Sequence, residues 1–318
     1  MERTACSKNL TISAEFSLRG FDVLPELRPL LFLFFLTIYI FTIAGNTLIL
    51  IMVTVEHQLH LPMYFFLGNL SFLEIWCPTT TVPTMLSCIL FGSNTMSLTA
   101  CIIQLYFFGW LVITECFLLT LMAYDRYVAI CYPLHYNTLM GKPQCWKMVF
   151  GAWLFSFAIV LGSNILLCNL QFLKHNEIDH FFCDFAPFLK AACSDTTIIE
   201  MEAFILSFIG LSIPFLLIII SYVYIISSIL RIPSTVGRRK AFSTCTSHVA
   251  VVVTYFGTLI AMYVVPAASH SLNLSKAVSL LYSVATPLCN PVIYTLRNKE
   301  IIESLKKISS MKQFSIRI

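Results

Sequence analysis

The sequence predicts an all-α membrane protein, a seven-transmembrane helix bundle with a short amphipathic cytoplasmic helix after the last span. Composition is the first observation behind this: 58% of the 318 residues are hydrophobic, 11% are charged, and the mean hydropathy is +0.83. A soluble domain carries about 25% charged residues, so most of this chain must face lipid. The second is a set of seven apolar segments, each able to supply the roughly 20 residues that cross a hydrocarbon core of about 30 Å. The third is an uneven placement of Lys and Arg between the connecting segments, which sets membrane orientation.

Residues 1–28 form a polar amino-terminal tail, expected outside, in which Asn9-Leu10-Thr11 is an acceptor pattern for N-glycosylation. The tail lacks the layout of a cleaved signal peptide, so the first apolar helix is expected to act as an uncleaved anchor. The spans are expected within residues 29–296, at Pro29–Val55, Leu59–Leu90, Leu98–Cys131, Cys145–Leu170, Ile198–Leu230, Ala241–Val265 and Ala277–Leu296. Backbone groups in lipid must bond internally, and without period-two alternation the segments read as helices rather than barrel strands. Placing the tail outside puts Lys142, Lys147, Arg231, Arg238, Arg239, Lys240 and the basic residues after Leu296 on the cytoplasmic side, against Lys174, Lys190 and Lys276 in the outer loops. Residues 297–318 form the cytoplasmic end. There Ile301, Ile302, Leu305 and Ile308 oppose Lys306, Lys307 and Lys312, the pattern of a helix lying on the membrane surface.

A net charge of +4 gives no support to a nucleic-acid partner, and the expected partner surface is the lipid bilayer of the plasma membrane. The twelve cysteines are scattered through apolar stretches without metal-site spacing and read mainly as small buried hydrophobes. From Cys101 to Arg126 a helix rises about 37 Å, a little more than the hydrocarbon thickness, so one residue stands at each face. Outside, Cys101 can pair with a cysteine of the long loop after the fourth segment, and Cys183 in His180-Phe181-Phe182-Cys183-Asp184 is the candidate. Glu74 and Glu115 each lie near the middle of an apolar segment, where a lone carboxylate is costly and needs partners. Asn46 and Asn290 stand at similar depth, and such a cluster can hold a proton or a sodium ion.

Inside stands Met122-Ala123-Tyr124-Asp125-Arg126-Tyr127-Val128-Ala129-Ile130-Cys131-Tyr132-Pro133. With Pro62-Met63-Tyr64-Phe65-Phe66-Leu67, Lys240-Ala241-Phe242-Ser243-Thr244-Cys245-Thr246-Ser247-His248 and Asn290-Pro291-Val292-Ile293-Tyr294, it resembles the odorant (olfactory) receptors of the rhodopsin-like G-protein-coupled class. The four motifs occur in family order and the resemblance runs from Asn9 to about Lys307. It implies a receptor rather than an enzyme, binding a small volatile odorant and activating a stimulatory heterotrimeric G protein. It gives Arg126 the role of holding the resting state and then meeting the G protein, with Asp125, Tyr127, Tyr222, Arg238, Arg239, Lys240, His248, Asn290, Pro291 and Tyr294 as the surrounding switch. Glu74 and Glu115 fall at the family's sodium-site positions, although a protonated, hydrogen-bonded structural pair fits them equally; no other cofactor is implied. By family position the odorant would meet Phe108, Gly109, Val112, Ile113, Leu206, Gly210, Leu259, Tyr263 and Ser283 in the outer half of the bundle. Each of these also reads as plain helix packing.

Two departures stand out. The family usually has a further cysteine ten residues before Cys183, where this chain has Leu173, which leaves Cys193 without its usual partner and Cys168 as the nearest substitute. The family's Phe-Tyr-Gly of the sixth helix is Tyr255-Phe256-Gly257 here, moving the phenol about 100° around the helix. Two rival readings are a rhodopsin-like receptor for a non-odorant ligand and an ion or proton transporter using Glu74 and Glu115. An amine receptor of that class would need a carboxylate where Phe108 stands, and the missing internal repeat counts against a transporter.

Overall fold

A computed structural model describes residues 15–21, 24–172, 175–263, 272–297 and 301–302. The long helices are α1 (Arg28–Val55), α2 (Pro62–Phe91), α3 (Leu98–Cys131), α4 (Lys142–Leu167), α5 (Thr197–Leu230), α6 (Thr235–Tyr263) and α7 (residues 272–297). Five of them, α1 and α3 to α6, are long and apolar enough to cross a membrane. α2 is more polar, with Glu74 and a run of threonines at 79–81, and buries residues along its whole length. Local chemistry sets the ends. α2 starts on a proline and stops at Gly92, whose φ of 84° is a left-handed conformation that a side chain would strain. α3 starts where the Ser97 hydroxyl accepts the Ala100 N–H at 3.3 Å.

α3 is the central post, in contact with α2, α4, α5 and α6, while α1 packs on α2 and α7. α5 and α7 each contain one π-helical turn, Phe208–Ser212 and Leu281–Ala285. Such a turn widens the helix and is common at functional sites. In α5 it brings Gly210 so close to α3 that an added Cβ would stand 2.7 Å from Ile113 Cδ1.

The all-α expectation needs one correction, because a three-stranded sheet covers one end of the bundle. β1 (Glu15–Arg19) is its middle strand, antiparallel to β2 (Ser93–Ser97) between α2 and α3, and parallel to β3 (His175–Ile178) between α4 and α5. Phe16 and Leu18 are fully buried and alternate with exposed Glu15, half-buried Ser17 and exposed Arg19. The polar tail therefore contributes a structural element. At the other end of the chain, the expected amphipathic helix lies mostly outside the described residues. Within it, residues 301 and 302 are helical and Ile301 is buried.

Candidate functional site

Beneath the sheet, the loop after α4 dips into the bundle. Cys183 is disulfide-bonded to Cys101 at the start of α3, with Cα atoms 5.5 Å apart. Gln104, one turn below Cys101, accepts the Cys183 N–H at 2.9 Å while donating to the Thr80 carbonyl and the Thr84 hydroxyl of α2. Phe181 and Phe182 are fully buried, with Phe182 edge-on to Phe108 of α3. Lys276 of α7, 5% exposed, donates to Asp179 Oδ1 at 2.6 Å and to the Gly20 carbonyl at 2.9 Å. One ammonium thus ties the loop, the segment after β1 and α7 together. His180 shares a 3.2 Å hydrogen bond with Ser279 of α7. Burial, with the Lys276 charge adding to it, holds the imidazole down to about 3. It is uncharged at neutral pH, so its 4.0 Å approach to Asp184 is not an ion pair. Cys193 is disulfide-bonded, but not to Cys168, which is free and exposed; its partner lies outside the described residues.

A cavity of about 1110 Å³ opens between α3, α4, α5 and this loop. Of the residues named from family position, Phe108, Gly109, Val112, Ile113 and Leu206 line it. Gly210 does not, and instead packs directly on Ile113. Leu259 and Ser283 are buried away from this cavity, and the Ser283 hydroxyl bonds the Ser279 carbonyl. The side chain of Tyr263 lies outside the described residues. Sequence reasoning passed over α4 and the loop, which supply Ser163, Asn164 and Asp184. Asn164, an amide inside an apolar helix, was the readable signal.

Midway along the bundle the two buried acids meet. Asn290 of α7 donates to Glu74 Oε1, and Asn46 of α1 also reaches Glu74. Asn46 Nδ2 bonds the Thr42 and Pro287 carbonyls at 3.1 and 3.3 Å. Glu115 bonds the Tyr255 hydroxyl. Glu74 Oε2 and Glu115 Oε1 have no protein partner among the described residues. The Tyr255 hydroxyl lies 2.8 Å from the Val112 carbonyl of α3, to which it donates, while Phe256 stacks on Phe215 of α5 at 5.1 Å. The exchanged phenol therefore ties α6 to α3. Among the described residues no group of three or more His, Cys, Asp or Glu is placed to hold a metal ion.

At the end opposite the sheet, side chains meet side chains. Asp125 is buried and accepts the Tyr136 hydroxyl at 2.7 Å, and Arg126 donates to Met63 Sδ of α2. Tyr222 of α5 and His248 Nδ1 of α6 share a 2.7 Å hydrogen bond, and His248 Nε2 reaches the Leu119 carbonyl of α3 at 3.1 Å. Tyr127 packs edge-on to Tyr132 and Tyr224. Arg238 donates to the Ile232 carbonyl and Arg239 is exposed, both in the first turns of α6. Pro291 is buried within α7. The side chains of Lys240 and Tyr294, and all of Asn9, lie outside the described residues.

A protein-family model described as "Olfactory receptor" matches residues 35–312. The chain is 49% identical over 305 residues to Olfactory receptor 11A1 of Homo sapiens, covering 96% of each. It is 47% identical over 299 residues to Olfactory receptor 6F1 of Homo sapiens, covering 94% of this chain and 97% of that one. To Olfactory receptor 6B9 of Mus musculus it is 44% identical over 300 residues, covering 94% and 95%.

Proposed function

The chain belongs to the olfactory receptor family of rhodopsin-like G-protein-coupled receptors, and from that premise we propose that it binds a small volatile odorant in the cavity between α3, α4, α5 and the loop and activates a stimulatory heterotrimeric G protein. It is a multi-pass membrane protein and not an enzyme. In this reading α1 to α7 are seven spans between a tail at 1–28 and a carboxyl-terminal segment at 297–318. The sheet faces the cell exterior, and Arg126 faces the cytoplasm at the plasma membrane. The observation that carries the reading is one helix with two different ends. α3 lines the cavity with Phe108, Gly109, Val112 and Ile113 and, about four turns on, presents Asp125 and Arg126 near the Tyr222–His248 contact. A ligand that favours one packing of α5 and α6 on α3 over another shifts the population at the far end.

Glu74 and Glu115, close enough to repel each other and each with a buried oxygen that lacks a partner among the described residues, suit a single positive charge, a sodium ion or a shared proton. Oxygen donors are the ligands a hard cation takes, so the residues fit sodium. They leave the proton equally suited.

The direct test is cyclic AMP in cells displaying this chain, challenged with a broad panel of volatiles beside an Arg126→Ala version matched for surface display. A dose-dependent response that disappears in the variant is expected. Responses of equal size in both would remove Arg126 from the switch, and silence with verified display would remove the odorant reading. Varying external sodium against potassium, with and without Glu74→Gln, separates ion from proton: basal signalling changes with sodium only if the pair holds the ion.

A further inference from the structure

The cavity is larger than a small volatile needs, since pockets of about 300–1000 Å³ enclose drug-sized ligands. Shape alone does not orient a small molecule there, so its polar atoms must. The two buried lining atoms without a hydrogen-bond partner among the described residues are both acceptors. Asn164, 7% exposed, commits one of its two amide N–H groups to the Val160 carbonyl at 3.0 Å, which fixes the amide orientation. Its Oδ1 is buried with no protein partner among the described residues. Asp184, 3% exposed, accepts the Phe185 N–H on Oδ1 at 2.8 Å, while its Oδ2 is likewise buried and without a hydrogen-bond partner. The one cationic candidate near Asp184, His180, is uncharged at neutral pH. Ser163, which also lines the cavity, gives its hydroxyl hydrogen to Glu202. Lys190 is the lining's ammonium, and it stands exposed at the rim.

We propose that Asn164 and Asp184 select ligands whose polar group donates a hydrogen bond, namely small alcohols and amines, over ethers and ketones of the same skeleton. This rests on the reading of the cavity as the odorant site. The physical reason is an asymmetry of cost. A buried acceptor stripped of water and left unpaired is penalised, and a ligand that brings a donor removes that penalty whereas one that brings another acceptor adds to it. Burial raises the Asp184 carboxyl to about 6, so at neutral pH the side chain is mostly ionised and favours an ammonium over a neutral hydroxyl.

The experiment uses sets of volatiles that share one carbon skeleton and end in a primary alcohol, a primary amine, a methyl ether or a ketone. Cyclic AMP is read in cells displaying the full chain. Alcohols and amines are expected to act at concentrations about tenfold lower than their ether and ketone counterparts. Asn164→Leu should erase the alcohol advantage by bringing alcohols and ethers to similar potency, and Asn164→Asp, which keeps an acceptor, should restore it. Asp184→Asn, which keeps the cap on Phe185, should weaken the amines more than the alcohols. The unmodified receptor already decides the matter if a variant fails to reach the surface. Ethers and ketones matching or exceeding the alcohols and amines would overturn the ligand class while leaving the odorant reading standing. Silence to every compound with display verified would bring down both.

Discussion

At the sheet end the chain is crosslinked by Cys101–Cys183, laced by three strands and pinned by Lys276 onto a backbone carbonyl and a carboxylate, whereas at the Arg126 end α3, α5 and α6 meet through a few side-chain hydrogen bonds. The first set includes a covalent crosslink and a cooperative backbone ladder, neither of which is exchangeable at low cost. The second kind is worth about 1 kcal/mol per bond, an amount that a ligand binding with modest state preference can outweigh. The difference teaches where motion is affordable. On the proposed function, a receptor of this build would keep its ligand end fixed and let its coupling end repack.

The largest effect expected from this contrast is on signalling. Arg126→Ala should lower ligand-stimulated cyclic AMP by about 5- to 150-fold, the usual range of a coupling energy, with surface display unchanged. Next comes stability at the fixed end. Cys183→Ser should cost about 2–4 kcal/mol and reduce display, measured by surface labelling, with ligand sensitivity falling in proportion. If Cys183→Ser left display intact and altered only basal activity, the two ends would not differ as described.

Smaller changes sharpen the contrast. Lys276→Met removes the bonds to Gly20 and Asp179; because Asp179 is half exposed, about 1 kcal/mol is expected, read as a lower thermal midpoint in detergent without a change in basal signalling. Tyr222→Phe removes a bond of similar strength at the other end. It should instead shift basal signalling about fivefold with little change in midpoint.

The smallest effect is a cancellation. His180 is held near 3 against an ordinary 6.5, so the unfolded chain takes up its proton first and stability is lost as pH falls below about 6.5. Asp184 is raised to about 6 from 3.8, so the folded chain takes up that proton first and stability is gained as pH falls below about 6. Between about pH 6 and 4 the slopes oppose each other at about 1.4 kcal/mol per pH unit each, and the native midpoint should stay nearly flat. Asp184→Asn should make it fall with acid and His180→Gln should make it rise; parallel behaviour of all three would refute the account.

The helices were legible because lipid demands long apolar runs with internal bonding, a signal that survives in a single sequence. Segment and helix agree closely at Leu98–Cys131 and to within one residue at the start of α1 and α5. The acids at Glu74 and Glu115 were legible for the converse reason, as charges where none is cheap. The sheet was not. Glu15–Arg19 is a five-residue alternation in a polar tail, and its partners lie near residues 93 and 175, so neither period nor proximity announces it. The cavity was half legible, because family position marked the α3 face while Asn164 and Asp184 gain their meaning from burial. Lys276 was placed in an outer loop, and only packing could show an ammonium sealed between three segments.

The position of β1 also has a consequence for how the protein is made. Synthesis proceeds from the amino terminus, so the middle strand emerges first, its β2 partner after α2, and its β3 partner after α4 has been completed. Until residues 175–178 exist, β1 keeps one open edge, which is a template for stray pairing, and the Cys101 thiol has no Cys183 to join. A chain interrupted before residue 183 therefore keeps an unpaired strand edge and a free Cys101 thiol at one end of the bundle.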